Sequence, residues 1–405
     1  MKIKTMRFVD HWVGKPVCFV LTVFHKLAGL FKRSDSKAEI KSILFVKLAE
    51  QGATVLADSA IRKAVGMVGR ENVYFLVFQQ NRFILDVMNL IPEENVITIN
   101  EKNLATVFFD IFKAVFRMRK LHIDAAINFE FFARSSAILT YLSGAKIRAG
   151  LHSFSDESPY QGDLMTHRIV YNPHLHTSQM FETMVEAIKQ KPEDLPRLDI
   201  EVPKLTPVQS RFIADSREME EFRKIVTKET QATEFSPLVL INANASDMLP
   251  LRKWPSERYE ELAKRLVARF PSLHIAFTGS SEESPRACEI VRNINSPRCF
   301  SMTGKTTLRQ LMMLYNMADI LITNDSGPAH FAALTDIQVI TLFGPETPKL
   351  FGAIGAHSHI LWKGLPCSPC VSAYNNRNSV CKDNVCMQRI SVDEVFDLVC
   401  QLCKE

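Results

Sequence analysis

The sequence has no apolar run of bilayer length where one would first be sought. Residues 12–31 are mostly apolar, but Lys15, Pro16, His25 and Lys26 interrupt them. The longest uncharged run there, 16–24, is too short to span a membrane. No small-residue cleavage site follows it, so a cleavable signal peptide is not expected. A strong excess of one charge is also missing. The net charge of +5 is mild and spread out, which gives no argument for nucleic acid. It suits an anionic substrate or an anionic membrane surface. The nine cysteines form no even framework: Cys18, Cys288, Cys299, Cys400 and Cys403 have no partner spacing. A reducing cytoplasm is the expected compartment.

What remains is ordinary globular composition, 46% apolar and 23% charged, which excludes a disordered chain. The 405 residues are enough for two or three domains with sizeable cores. Basic residues flank the N-terminal apolar segment: Lys2, Lys4 and Arg7 before it, Lys32 and Arg33 after it. Two readings of that segment stay open. One is a helix docked on the body of the protein, the other an interfacial helix on the inner leaflet.

After a polar linker at 33–41, apolar strands alternate with helices. SILFVKL, NVYFLVF, NVITIN and DAAINF read as strands. Between them lie helical stretches, one of which, 103–120, is rich in Phe, Arg and Lys. This alternation predicts βαβ units and a parallel sheet. Residues 151–180 break the rhythm with four His, two Pro and three Tyr or Phe, and read as a long irregular, functional segment. A Pro-punctuated linker follows the next helix. The alternation then restarts with PLVLINAN, LHIAFTGS, DILITND and QVITLFG as strands.

In open α/β sheets, ligands sit beyond the carboxyl ends of strands, and four such ends in the second half carry polar residues. INANASDMLPLRKWP offers small residues, then Arg252 and Lys253, suited to phosphate. FTGSSEES offers Glu282 and Glu283, suited to ribose hydroxyls. SMTGKTTL offers Thr303 and Lys305, without the spacing of a Walker A loop. NDSGPAH opens a helix whose first amides attract an anion, with Ser326 expected as its N-cap. Together they point to a nucleotide or nucleotide-sugar site.

The motifs ANASDMLPLRKWP, FTGSSEE, TNDSGPAHFAAL and TLFGPETP resemble those of glycosyltransferase family 9, the heptosyltransferase-like enzymes of lipopolysaccharide core synthesis. The resemblance runs from about residue 41 to the end. It implies a GT-B fold: two Rossmann-like α/β domains with parallel sheets and a cleft between them. It also implies inverting, metal-independent transfer from a donor such as ADP-heptose. By motif position, Asp325 and the amides of Ser326, Gly327 and His330 would meet the donor's sugar and diphosphate. Asn244 and Ala245 would lie beside the phosphates, Arg252 would be a basic phosphate contact, and Glu283 would hold the ribose or base.

The first half departs from that pattern. The family carries a Gly-Asp pair after the first strand, and that Asp is the proposed general base. Here the loop reads KLAEQGATVLADSA, with Gly52 present and Ala53 in place of the acid. An inverting transfer needs a base for the acceptor hydroxyl. Glu50 is the expected substitute and Glu130 a second candidate, whereas Asp58 reads as a surface residue. His152, Tyr160, Asp163, His167, Arg168, His174 and His176 are read as an acceptor loop. No His pair there has a familiar metal spacing on a helix.

Cys367, Cys370, Cys381 and Cys386 have the spacing C-x2-C-x10-C-x4-C. Structural zinc is the first reading, with disulfides or plain thiols as alternatives.

The expected domains are an apolar and basic N-terminal helix (1–39), an acceptor domain (40–200), a donor domain (201–390, with a Cys-rich loop at 366–387) and a closing helix (391–405). The expected partners are a nucleotide sugar, a saccharide or lipid-linked acceptor and an inner-membrane surface, without nucleic acid. Two other readings stay open: a catalytically silent sugar-nucleotide binder and a nucleotide-sugar epimerase.

Overall fold

Strands such as Leu238–Asn242 are buried along their whole length. Continuous apolar runs of this kind are what a parallel sheet covered on both faces requires. A computed structural model of the chain describes residues 3–29, 39–155, 158–230, 232, 234–245, 249–375 and 377–403. The polar linker expected at 33–41 lies mostly outside these residues, as do 246–248 of the small-residue loop. Contacts divide the chain into two compact units: Met1–Thr206 with Ala373–Asn375, and Pro207–Ser372 with Asn376–Glu405.

The first unit contains strands β1 (Ile43–Val46), β2 (Val73–Phe78), β3 (Val96–Ile99), β4 (Ala125–Asn128), β5 (Ile147–Leu151) and β6 (His167–Ile169). Its helices are α1 (Ile3–Trp12), α2 (Gly14–Gly29), α3 (Gln51–Val55), α4 (Asp58–Val68), α5 (Arg82–Met88), α6 (Leu104–Lys120), α7 (Arg134–Leu142) and α8 (Thr177–Ala187). The sheet is parallel, in the order β3-β2-β1-β4-β5-β6. The chain moves outward from β1 to β3, then restarts beside β1 with β4. That reversal is the switch point where an α/β sheet opens a crevice.

The second unit repeats the plan with β7 (Leu238–Asn242), β8 (His274–Phe277), β9 (Cys299–Ser301), β10 (Ile320–Asn324), β11 (Gln338–Phe343) and β12 (Ser358–Trp362). Its helices are α9 (Ser216–Thr230), α10 (Ser256–Arg269), α11 (Ser284–Ile294), α12 (Leu308–Met317), α13 (Gly327–Ala332), α14 (Pro348–Phe351), α15 (Val385–Gln388) and α16 (Val392–Leu402). The order is β12-β11-β10-β7-β8-β9, so the switch point lies between β7 and β10. Its core packs α10, α11 and α16 on the sheet. Trp254 and Tyr259 meet edge to face there, 4.8 Å between ring centroids.

Four strands go beyond the sequence reading: β5, β6, β9 and β12. The segment expected to be irregular therefore contributes β6 and the start of α8. The N-terminal helix pair packs against the first unit through α7. Gly14 sits so close that an added Cβ would lie 2.9 Å from Arg134 Cβ. Cys18 is fully buried beside Ala137, and Thr22 Oγ1 accepts from the Asp163 amide at 2.9 Å. Among the described residues, no helix is long and apolar enough to cross a membrane.

Candidate functional site

Both switch points carry charged groups. In the second unit, β10 ends in Asn324, a fully buried side chain. Its Oδ1 accepts from the Trp254 amide (3.1 Å) and the Tyr259 hydroxyl (3.0 Å), and its Nδ2 donates to Asn244 O (3.0 Å). This network ties the loop after β7 to the end of β10.

The next residue, Asp325, is buried beside Arg252 and Glu346. Arg252 Nε lies 3.4 Å from Asp325 Oδ2, and its Nη1 donates to the Asp325 carbonyl at 3.2 Å. Nη2 donates to Glu346 Oε2 at 2.5 Å. Arg377 Nε stands 3.6 Å from Glu346 Oε1. Burial raises the Asp325 carboxyl to about 7; Arg252 pulls it down and the neighbouring Glu346 pushes it up. Two carboxylates and two guanidinium groups thus meet at the ends of β10 and β11.

Beside them is a pocket of about 420 Å³ at the ends of β7 and β8. Asn244, Ala245, Lys253, Thr278, Glu283 and Arg286 line it. Glu283 closes a short turn here: its Oε2 accepts from the Ser280 amide at 2.7 Å. The basic pair expected at one phosphate contact is therefore divided. Lys253 lines the pocket, while Arg252 is held in the acidic cluster.

Two expectations for these strand ends change. Ser326 occupies the N-cap position of α13, but its side chain makes no cap. Its hydroxyl donates to Asn324 O at 3.1 Å instead. Pro328 has no N–H, and the Ala329 amide already bonds Ser326 O at 3.2 Å, so the open amides of this turn are fewer than expected. Gly327 packs under the Phe331 ring, which a Cβ would approach to 3.1 Å, and His330 is buried one residue before Phe331. At the fourth strand end, Lys305 pairs with Glu229 and Thr303 bonds Ser301 at 2.6 Å, so neither lines the pocket.

In the first unit, a fully buried lysine follows β1. Lys47 Nζ donates to Glu130 Oε2 at 3.0 Å and lies 3.5 Å from Glu50 Oε2. Glu130 Oε1 accepts from the Ala49 amide at 2.9 Å. Both oxygens of Glu130 are engaged, and Glu50 is the more exposed of the two acids. Glu50 also has φ 66, a left-handed backbone that non-glycine residues seldom adopt and that often marks a functional position. Asp58 is not a surface residue: it is buried and pairs with Arg62 at 2.9 Å.

The expected acceptor residues have mixed fates. His167 is buried in β6, with its ring nitrogens against Thr166 Oγ1 (2.9 Å) and Gln190 O (3.1 Å). His176 caps α8 by accepting from the Ser178 amide at 3.2 Å. Arg168 pairs with Asp163 and Asp194. These are structural roles. Tyr160 and His174 are exposed, and His152 stacks edge-on against Phe154.

None of the four cysteines expected to hold zinc is in a disulfide. Cys370 accepts from Ser379 and Cys381 donates to Asp383 O. Among the described residues, no group of three or more His, Cys, Asp or Glu is arranged to hold a metal ion. Burial pushes the Cys386 thiol up, and Cys370 and Cys367 lie near enough to add to that rise.

Sequence reading missed Lys47, Asn324 and Glu346. The last carried a signal: an acid directly after the apolar run and turn of TLFGP, at another strand end.

A model described as "Glycosyltransferase family 9 (heptosyltransferase)" matches residues 112–380. Lipopolysaccharide heptosyltransferase 2 of Salmonella typhimurium is 33% identical over 102 residues, 24% of this chain and 29% of that protein. Lipooligosaccharide heptosyltransferase 2 of Haemophilus ducreyi is 31% identical over 164 residues, 39% of this chain and 43% of the relative. The chain's match spans less than a third of the length of the first of these curated relatives. Among solved structures, E. coli ADP-heptose LPS heptosyltransferase II aligns with TM-score 0.66 and 17% identity, over 89% of this chain and 98% of that one. A family 9 glycosyl transferase from Veillonella parvula aligns with TM-score 0.68 and 18% identity, over 91% and 99%. At such identities the likeness shows the fold, two α/β units of the GT-B type.

Proposed function

Because the chain belongs to glycosyltransferase family 9, we propose that it transfers a heptose-like sugar from a nucleotide-sugar donor, with inversion, to a saccharide acceptor of the lipopolysaccharide core or a related glycan. The observation that carries this reading is the grouping at the second switch point. A pocket able to take a nucleoside adjoins a cluster in which two arginines meet two buried acids that follow β10 and β11. That is where an α/β sheet binds such ligands.

In this reading Asn244, Ala245, Lys253 and Glu283 hold the nucleoside side of an ADP-heptose-like donor. Arg252 offsets diphosphate charge, most strongly as the bond to the leaving group breaks. Asp325, with Ser326, Gly327 and His330, fixes the sugar and its phosphates. Glu50 takes the proton from the acceptor hydroxyl as its oxygen attacks the anomeric carbon, and the nucleoside diphosphate departs from the opposite face. Lys47 and Glu130 position Glu50. The reaction is read as needing no catalytic metal. Because the acceptor is saccharide or lipid-linked, the chain is read as working at the cytoplasmic face of the inner membrane, with α1 and α2 against its surface.

A thermal-shift screen of nucleoside diphosphates and nucleotide sugars tests the donor assignment. A ligand that binds only the folded state must raise apparent stability. A nucleotide sugar should raise Tm, and Arg252→Ala should abolish the shift. A screen in which no nucleotide or nucleotide sugar raises Tm overturns it.

A further inference from the structure

We propose that α6 forms, together with α1 and α2, a two-part docking face for an anionic lipid surface. This extends the membrane reading given above to a helix that reading did not include, and it rests on that reading.

Helix α6 has apolar side chains on its covered side and also, among its charged residues, on its exposed side. Ala114 and Met118 pack inward in the core beneath it, with Val107, Ile111 and Val115 against the same cluster. On the other side Phe108, Phe109, Phe112 and Phe116 are 65, 61, 60 and 74% exposed, and Leu104 is also exposed. Four phenylalanines at that exposure leave on the order of 500 Å² of apolar surface, the size of the largest apolar patch of a typical monomer, which is often a functional one. The N-terminal pair also exposes apolar residues: Trp12, Phe19, Val20, Phe24 and Leu27 are exposed, while Cys18 packs beside Ala137 of α7 and Thr22 against Gly162 and Asp163.

The topology puts these helices on one side of the sheet. The β3-to-β4 connection through α6 and the β4-to-β5 connection through α7 cross in the same direction. Right-handed crossovers then place both on the same face. Arg119 of α6 donates to Leu142 O of α7 at 2.7 Å, and α2 packs on α7.

Charge selects the occupant. Each set carries four basic residues and one acid: Lys4, Arg7, Lys15 and Lys26 with Asp10, and Lys113, Arg117, Arg119 and Lys120 with Asp110. Both acids turn into the protein. Asp10 accepts from the Ser135 amide at 2.8 Å and Asp110 from the Asn100 amide at 3.0 Å. Among the described side chains the outward charge on these helices is mostly basic and interleaved with aromatic rings; Lys26 is paired with Asp163 at 3.4 Å. Lys113 lays its chain along Phe109, with Nζ 4.4 Å from the ring centroid, so the ring can enter lipid while the ammonium stays at the headgroups. A second protein surface would need an acidic, apolar partner; a bilayer containing anionic lipid supplies both features at once.

The test is flotation of the full chain with vesicles of phosphatidylcholine alone or mixed in equal parts with phosphatidylglycerol. Binding is expected to the mixed vesicles only and to weaken with salt. The Trp12 emission should shift to the blue, and Trp12→Phe should remove that shift. Replacing Phe109, Phe112 and Phe116 by Gln is expected to lower the partition coefficient about tenfold or more, with Tm and far-UV dichroism unchanged. If that variant floats like the wild type, α6 is not a docking element and the proposal fails, although α1 and α2 can still bind. If the wild type does not float with mixed vesicles, the proposal and the membrane reading both fail; nucleotide binding in the thermal-shift screen is scored separately. If sedimentation shows a dimer that the variant loses, the face meets a second copy and the proposal also fails.

Discussion

Arg252 donates to Glu346 at 2.5 Å while its Nε stands 3.4 Å from Asp325, so one guanidinium serves two buried carboxylates. The three residues come from separate segments, and their meeting gives the second unit a charge centre next to its pocket. Removing one partner of such a cluster leaves unpaired buried charge, which is strongly destabilising. Arg252→Ala should lower unfolding free energy by about 3–5 kcal/mol in a denaturant titration. Arg252→Lys should keep part of the stability and still weaken nucleotide-sugar binding, because an ammonium cannot reproduce the guanidinium fork.

The same cluster predicts a pH dependence. Asp325 titrates near 7 when folded, against an ordinary 3.8. A carboxyl with a raised folded pKa contributes stability that is fully present below its unfolded pKa and lost as pH rises through the folded one. The Tm of the wild type should therefore fall relative to Asp325→Asn between pH 4 and 7 and stay level above that window. Parallel Tm curves for the two proteins would contradict the assignment.

The first unit predicts a split between chemistry and binding. Glu50→Gln should reduce kcat by about 10²–10⁴, the usual contribution of a positioned base, and leave donor binding unchanged. Glu50→Gly should relieve the left-handed backbone and keep or raise Tm while still losing activity. Wild-type turnover in either variant would move the base elsewhere, with Glu130 next in line.

Gly279 tests the pocket wall. A Cβ there would lie 2.6 Å from Glu283 Oε2 and 3.0 Å from Asn244 Nδ2. Gly279→Ala should displace both side chains and weaken nucleotide binding about tenfold or more in calorimetry, roughly the loss of one good hydrogen bond to a charged group.

Much of this was legible in the sequence for simple reasons. The two parallel sheets follow from apolar strands alternating with helices, whereas their strand orders, and with them the switch points, do not. Strands β5, β6, β9 and β12 escaped because they are short or lie toward sheet edges. β5 includes Arg148, β6 is three residues, and β12 is only half-buried, so none has the continuous apolar run that marks a covered strand. Polar groups were legible at strand ends but their pairings were not. Nothing in KLAEQG says that Lys47 reaches Glu130, 83 positions away. Asp58 looked like a surface acid because burial is decided by α8, which packs on α4 from a distant part of the chain. Ser326 showed the residue type of a cap, yet its hydroxyl turns to Asn324 O, a choice set by local geometry.

The most direct test of the account is a transfer reaction with the full chain, an ADP-heptose donor and core saccharide acceptors, read by NMR of the new anomeric centre. The account predicts acceptor-dependent release of nucleoside diphosphate, stoichiometric with a glycosidic bond of inverted configuration. Donor that binds but transfers to no acceptor, or donor that is converted without any acceptor, would contradict it.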